Sequence, residues 1–307
     1  MVILSSVIAH LENHNIRFKY KGDLNLSIDK FSTLENYKNS SVIWISDIKK
    51  IDLDLLVKTN DLLIVTVPEY EFELSKIFEN VMYGDNSKEI FFTILADFIY
   101  TSPEITGQKT NSIIKAKNIG KNVIIGFNCY IGNEVEIGDD VIIKNNVSIE
   151  SKVKIGDRTI IHSGVVLGTD GYGFFQNSDG QNIRVPHFGG IIIGSDVEIG
   201  ANTCIDRGTL EDTRIGNNVK IDNLCHIAHN VMIEENVCVI ALSMIAGSVI
   251  LKKNAYIAPS SSIRNQVTIG ENSVVGLGAV VVKDVEKNVV VAGVPAKIIR
   301  VRNDALV

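Results

Sequence analysis

The sequence predicts a mainly β chain, a parallel β-helix preceded by a small α/β domain. Three observations carry that prediction. An aliphatic residue returns at every sixth position over most of the chain. The first hundred residues lack that period and mix helical spacing with short β-branched runs. The length of 307 residues, 45% hydrophobic and 21% charged, suits about two ordinary globular domains.

In chain order, residues 5–13 (SSVIAHLEN) set serines ahead of Val7, Ile8 and Leu11 on one face, which predicts a short Ser-capped amphipathic helix. Residues 41–46 (SVIWIS) and 61–66 (DLLIVT) are short β-branched runs and predict buried strands. Over 69–81 (EYEFELSKIFENV), Phe72, Leu74, Ile77, Phe78 and Val81 fall near helical spacing. Residues 1–100 thus form the small α/β domain. Around 101–112 (TSPEITGQKTNS) the composition turns polar, with Pro103 and Gly107, so 101–118 is assigned as a linker.

From Ile119 the six-residue period takes over. It runs to Leu167, returns at Ile193, Ile199 and Ile205, and resumes at Ile215 to end at Val281. These runs hold nine, three and twelve hexapeptides, many reading Ile-Gly with Asn or Asp in the turn. This is the hexapeptide signature of a parallel β-helix. The aliphatic side chain points inward, one per flat face, and Gly or Asn at the corner tolerates positive φ. Three hexapeptides close one triangular coil, so eight coils are expected, stacked ~4.8 Å apart to a prism of about 38 Å. The period leaves the hand of the coil open. The helical domain is placed at 119–285, followed by a loop and tail at 286–307. Two insertions break the period, 169–192 and 206–214. A stacked prism ejects extra residues onto its surface, where solenoids bind. The competing reading is that these loops only cover an edge.

Several function classes are excluded at this stage. A net charge of -6 and no basic block speak against nucleic-acid binding. No apolar run reaches the ~18 residues of a membrane span, and the N-terminus lacks the basic region of a signal peptide. Cys129, Cys204, Cys225 and Cys238 form no CxxC and read as reduced thiols of a cytoplasmic protein. No Ser elbow, P-loop or dinucleotide-binding glycine pattern occurs; Gly171 and Gly173 fall in a loop of the prism.

In LCHIAHNV (224–231) Ile227 points inward, so His229 lies near a corner, and Gly247 holds the same phase one coil on. An imidazole beside a glycine N–H suits acyl transfer, which needs a base for the amine and a donor for the oxyanion. The competing reading is a solvated corner histidine. A zinc site needs three converging imidazoles. His10, His14, His162 and His187 are too scattered for that, so no metal is expected.

The stretch 161–231, with IDRGTLEDT and CHIAHN, resembles the UDP-3-O-(3-hydroxyacyl)glucosamine N-acyltransferases of lipid A biosynthesis. The resemblance is strongest over 119–250 and faint in the first hundred residues. It implies a left-handed β-helix and a homotrimer with active sites between prisms. It also implies transfer of an acyl group from a thioester to the amine of a nucleotide-linked sugar, with no tightly bound cofactor. By position, His229 matches that family's base, Asp222 the carboxylate that orients it, and the Gly247 N–H its oxyanion donor. VIWISD (42–47) matches the uridine-binding strand, with Trp44 in place of a stacking aromatic and Asp47 beside it.

The chain also departs from that family. Gln266 stands at the place of a second histidine, Ala279 at that of a chain-limiting Met, and Lys50 at that of a second aromatic. The helical C-terminal extension that helps hold acyl carrier protein is missing. The ending GLGAVVVKDVEKNVVVAGVPAKIIRVR (276–302) instead resembles coenzyme A-dependent N-acetyltransferases of nucleotide amino sugars. Gln266, Gly278, Ala279, Lys283, Lys297 and Arg300 are then the donor-site candidates, with Arg302 adding charge at the tail. The sequence therefore points to an N-acyltransferase using a short acyl-coenzyme A on a UDP- or dTDP-amino sugar, for surface polysaccharide (O-antigen) or lipopolysaccharide synthesis. The alternatives are the lipid A enzyme with acyl carrier protein and a non-catalytic β-helix scaffold.

Overall fold

A computed structural model describes residues 1–34, 38–49, 51, 61–100, 111–150 and 152–302. Lys50 and the 101–110 stretch with Pro103 and Gly107 lie outside the described residues. The chain divides into two compact units, Met1–Glu104 and Ile105–Val307. Among the described residues no helix is long and apolar enough to cross a membrane.

The first unit is a five-stranded sheet in the order Lys19–Lys21, Asn80–Tyr83, Leu62–Thr66, Ser41–Ile45, Lys30–Phe31. Its neighbours are parallel except for Lys19–Lys21 against Asn80–Tyr83. Both strands expected from the β-branched runs are present. Helix α1 spans Leu4–Asn13 and buries Leu4, Val7 and Leu11. Its cap is Ile3, without a side-chain bond, so the serines expected to cap it lie inside the helix.

The helix expected over 69–81 is only one turn, α2 (Glu71–Leu74), after a 3-10 turn at Pro68–Tyr70. Phe72 is exposed, and Val81 is buried in the strand Asn80–Tyr83. Pairing with the buried strand Leu62–Thr66 outweighs the weak helical spacing of those residues. Helix α3 (Ser87–Ile94) was not expected. Asn86 caps it, its Oδ1 accepting from the Glu89 N–H while its Nδ2 donates to the Glu89 carboxylate.

The second unit is the expected left-handed parallel β-helix. Three sheets form its faces, parallel throughout except for the last strand of one of them. Inward residues such as Ile131, Ile149, Leu167, Ile205, Ile227, Ile245 and Ile263 are fully buried in one continuous core. Each such side chain contributes about 1.5–3 kcal/mol of burial. Asn122, Asn146, Asn218 and Asn236 take the left-handed corner conformation, with φ of 54°, 59°, 55° and 61°.

The face that carries His226–Ile227 has nine strands, from Ile113–Ile114 to Val280–Val281, where eight coils were expected. The extra rung escaped because Ile114 pairs with Ile131 off the regular register. At the other end Val275 pairs with Val291, extending the helix past 285 through the strand Val289–Ala292. Strand Ile113–Ile114 and the first residue of Asn118–Ile119 lie within the stretch assigned as linker.

The corners differ. On two of them the turn N–H is capped by a side chain from the next coil: Lys121 by Asp139 at 2.7 Å, Phe127 by Asn145 at 2.8 Å, Ala201 by Asn223 at 2.6 Å. Both insertions leave the prism at the third corner. The first follows the strand Val166–Asp170 and contains an antiparallel hairpin, Phe174–Gln176 with Asn182–Arg184. The second follows Cys204–Arg207.

Candidate active site

The third corner also carries His229. Strand Cys204–Arg207 lies one coil below His226–Ile227, and Met244–Ile245 one coil above. His229 is therefore stacked under Gly247 and over the exit of the second insertion. A Cβ at Gly247 would fall 2.7 Å from His229 Cε1 and 2.8 Å from Nε2. The imidazole thus occupies the space that only glycine leaves open. Among the described residues no group accepts from the Gly247 N–H.

The tautomer of His229 follows from its neighbour. Asn230 Oδ1 accepts from the Thr209 N–H at 3.1 Å, and its Nδ2 donates to the Glu211 carbonyl at 3.0 Å. These bonds fix the amide orientation, so His229 Nδ1, 3.0 Å from that Oδ1, is the donor. Nε2 then carries the lone pair, on the side of Gly247. Thr209, Glu211 and Thr213, whose hydroxyl accepts from the Asn230 N–H, all belong to the second insertion. That insertion is a brace for the histidine.

Asp206 comes from the same strand exit and is 6% exposed. Thr169 donates to it at 3.4 Å, across an irregularity that shifts the pairing between Leu167 and Thr169. His226 Nε2 is 3.6 Å away. Burial pushes the Asp206 carboxyl above its ordinary range, against the opposite pull of His226 and the Thr169 hydroxyl. A cavity of about 380 Å³ opens here, lined among others by Tyr172, Asp206, His229, Gly247 and Gln266. It offers a proton acceptor and a backbone donor, which together can serve acyl transfer. Among the described residues no group of three or more His, Cys, Asp or Glu is arranged to hold a metal ion.

The structure brings together only some of the expected residues. His229, Gly247 and Gln266 meet at this cavity. Asp222 does not: its carboxylate accepts from the Asn223 N–H at 2.7 Å and the Ala241 N–H at 3.2 Å, at the opposite edge of the same face. It is a corner cap, and Asn230 takes the orienting position assigned to it.

Ala279 is fully buried in the prism core, so its methyl cannot line an acyl pocket. Gly278 sits at the adjoining corner, with φ of 64° and open space around it. Lys283, Lys297 and Arg300 are exposed, the latter two on a strand that pairs antiparallel with Val289–Ala292. Trp44 is engaged within its own domain. Its ring stacks on Phe91 at 6.0 Å and its N–H donates to Ser87 at 3.0 Å, which argues against a free stacking platform. Asp47 accepts from the Lys49 N–H at 2.9 Å.

Sequence reasoning missed Asn230, Asp206 and His187. The first was legible as the residue after the histidine. The other two are hidden because the insertions break the count that relates neighbouring coils.

The fold and this corner define the class, a hexapeptide-repeat β-helix protein. The family described as "Bacterial transferase hexapeptide (six repeats)" matches residues 117–151, 134–169 and 212–247. The relatives are those the sequence resembles. The chain is 57% identical over 84 residues to the UDP-3-O-acylglucosamine N-acyltransferase of Coxiella burnetii, covering 27% of this chain and 25% of that one. It is 41% identical over 117 residues to the enzyme of that name from Polynucleobacter asymbioticus, covering 37% and 33%. These matches span between a quarter and a third of the relatives' own length. In structure, the chain is similar to the UDP-N-acetylglucosamine acyltransferase from Campylobacter jejuni, with a TM-score of 0.56 and 24% identity over 62% of this chain and 73% of that one. That likeness supports the fold.

Proposed function

We propose that the chain is an N-acyltransferase that moves an acyl group from a thioester to the amine of a nucleotide-linked amino sugar. One observation carries the reading: His229 Nε2 and the Gly247 backbone, whose N–H has no acceptor among the described residues, border one cavity. In this mechanism the amine nitrogen attacks the thioester carbonyl and a C–N bond forms. The Gly247 N–H stabilises the oxyanion. His229 Nε2 takes the proton from the substrate nitrogen, the C–S bond breaks, and the proton passes to the departing sulfur. Asn230 keeps the lone pair on Nε2, and Asp206 offsets the charge the imidazole acquires. The acceptor we favour is the one in the relatives' name, a UDP-3-O-acylglucosamine, with acyl carrier protein as donor. Its product would serve lipopolysaccharide synthesis. We take the working form to be a cytoplasmic homotrimer in which a neighbouring prism covers the cavity, whose Tyr172 is 88% exposed.

A second reading keeps the chemistry and changes the donor to a short acyl-coenzyme A. It is favoured by the terminal hairpin, which presents exposed Lys297 at the end of the AGVPAK segment. A thiol-release assay separates the two. It offers acetyl-, 3-hydroxybutyryl- and long-chain 3-hydroxyacyl groups, on coenzyme A and on carrier protein, against UDP- and dTDP-amino sugars. Turnover with long-chain carrier protein and 3-O-acylated UDP-glucosamine is the expected result. Turnover only with short acyl-coenzyme A selects the second reading, and no turnover with any pair leaves a binding scaffold.

A further inference from the structure

Resting on that reading, we infer that His187 is a positioning residue for His229. From the long insertion it sets an unpaired Nε2 lone pair against the edge of that ring, holding it in place and stabilising the positive charge it acquires with a proton.

The argument begins with an orphan. His187 Nδ1 donates to the Val185 carbonyl at 2.9 Å, which leaves Nε2 as a bare acceptor. That atom is buried and has no hydrogen-bond partner among the described residues, and the residue is 7% exposed. A buried acceptor without a partner costs stability and calls for a cause. The ring centroids of His187 and His229 are 5.6 Å apart, the planes crossing at 74°. Gly171 passes between them. A Cβ placed there would lie 2.8 Å from His229 Cδ2 and 3.0 Å from His187 Nε2, so the two edges border the same point. The two rings therefore meet edge to face beside Gly171, with His187 Nε2 on the side that this glycine borders, and the negative end of the His187 dipole is placed near the ring that must become cationic. The other groups around His229 are Asp206 from the strand below, His226 from its own strand, Asn230 at Nδ1 and the Gly247 backbone over Nε2. His187 is not among the cavity-lining residues, so it acts through His229 and not on substrate.

Two variants test this in the full-length protein. His187→Phe keeps the ring and deletes the lone pair; His187→Gln can restore an acceptor. The first readout is the proton uptake of the His229 ring, followed by histidine side-chain NMR without substrate. In His187→Phe the ring should take up its proton at lower pH, with roughly tenfold weaker proton affinity, and His187→Gln should recover most of that loss. The second readout is acyl transfer: kcat falls about tenfold in the Phe variant with KM unchanged, the pattern of an interaction made only in the transition state. His187→Met carries both tests if the Phe variant does not fold. An unaltered His229 titration in a folded apolar variant overturns the inference. A shifted titration in a protein that transfers no acyl group upholds it and overturns the proposed function instead.

Discussion

Two corners of the prism are closed by side chains and the third is left open. At Lys121, Phe127 and Ala201 the turn N–H receives an Asp or Asn oxygen from the next coil. Each such bond contributes about 1 kcal/mol and occupies the donor. At the His229 corner no such ladder runs. The Gly247 N–H, the His229 Nε2 and the His187 Nε2 have no partner among the described residues. Both insertions leave the prism here, and one of them supplies the brace for Asn230. The repeat is stable because each coil satisfies its neighbour. An open corner arises where that satisfaction is withheld and the displaced chain is used as support.

The largest effect should come from the open corner itself. Replacing His229 with Ala should lower turnover by about 10²–10⁴-fold, the range of a lost general base, while melting temperature and oligomer mass stay unchanged. Turnover equal to the parent protein would remove His229 from the chemistry. Gly247→Ala should cost about 10²-fold by displacing the imidazole, since its methyl claims the ring's position and catalytic geometry tolerates little misplacement. Its backbone donor survives, so its loss should be smaller than that of His229→Ala at the steep end of the range. On a capped corner the same experiment should read differently. Asn145→Ala should destabilise the fold by about 1 kcal/mol in denaturant unfolding and leave turnover alone.

The repeat was legible because its physics is local. One inward aliphatic residue per face and one left-handed corner per turn recur at fixed spacing, so the period reveals faces, core and corners together. His229 and Gly247 were legible for the same reason, being in phase with no insertion between them. Legibility fails wherever the phase breaks. The rung at Ile113–Ile114 pairs off register, Asp206 sits in the strand just before the second insertion, across a pairing irregularity, and His187 belongs to a loop whose course the period does not constrain. In the first domain, Val81 reads as helix by spacing but is claimed by the parallel partner strand Leu62–Thr66, where it pairs with Ile64. Asp222 shows a different failure. Its carboxylate is consumed as a cap at the far edge of the face from His229.

That last contrast gives a paired test of intermediate size. Asn230→Ala should free His229 to exchange tautomers and lower kcat about tenfold, with KM unchanged. Asp222→Asn should leave kcat within about twofold and lose roughly 1–2 kcal/mol of stability through its two backbone bonds. Steady-state kinetics and urea unfolding on both variants decide the matter. If Asp222→Asn abolishes turnover in a folded protein, the carboxylate acts on the histidine in a geometry other than the one seen.

The smallest effect concerns Asp206, and it separates stability from function. Its carboxyl is held above the ordinary value of 3.8, chiefly by burial. A raised acid binds its proton more tightly in the folded state. As pH rises from about 3.8 toward the folded value, the unfolded chain releases its proton first, and the fold loses stability relative to it. Above the folded value that penalty is complete and constant. Asp206→Asn removes the ionisation, so at neutral pH the variant should melt slightly higher than the parent. The gain should shrink as pH falls through the folded value and vanish below about 3.8. The same variant should turn over more slowly, because the imidazoles lose the carboxylate that offsets their charge. A residue whose removal stabilises the fold and slows the reaction is present for the reaction. If the melting gain persists unchanged at low pH, burial of the ionised carboxylate is not its cause.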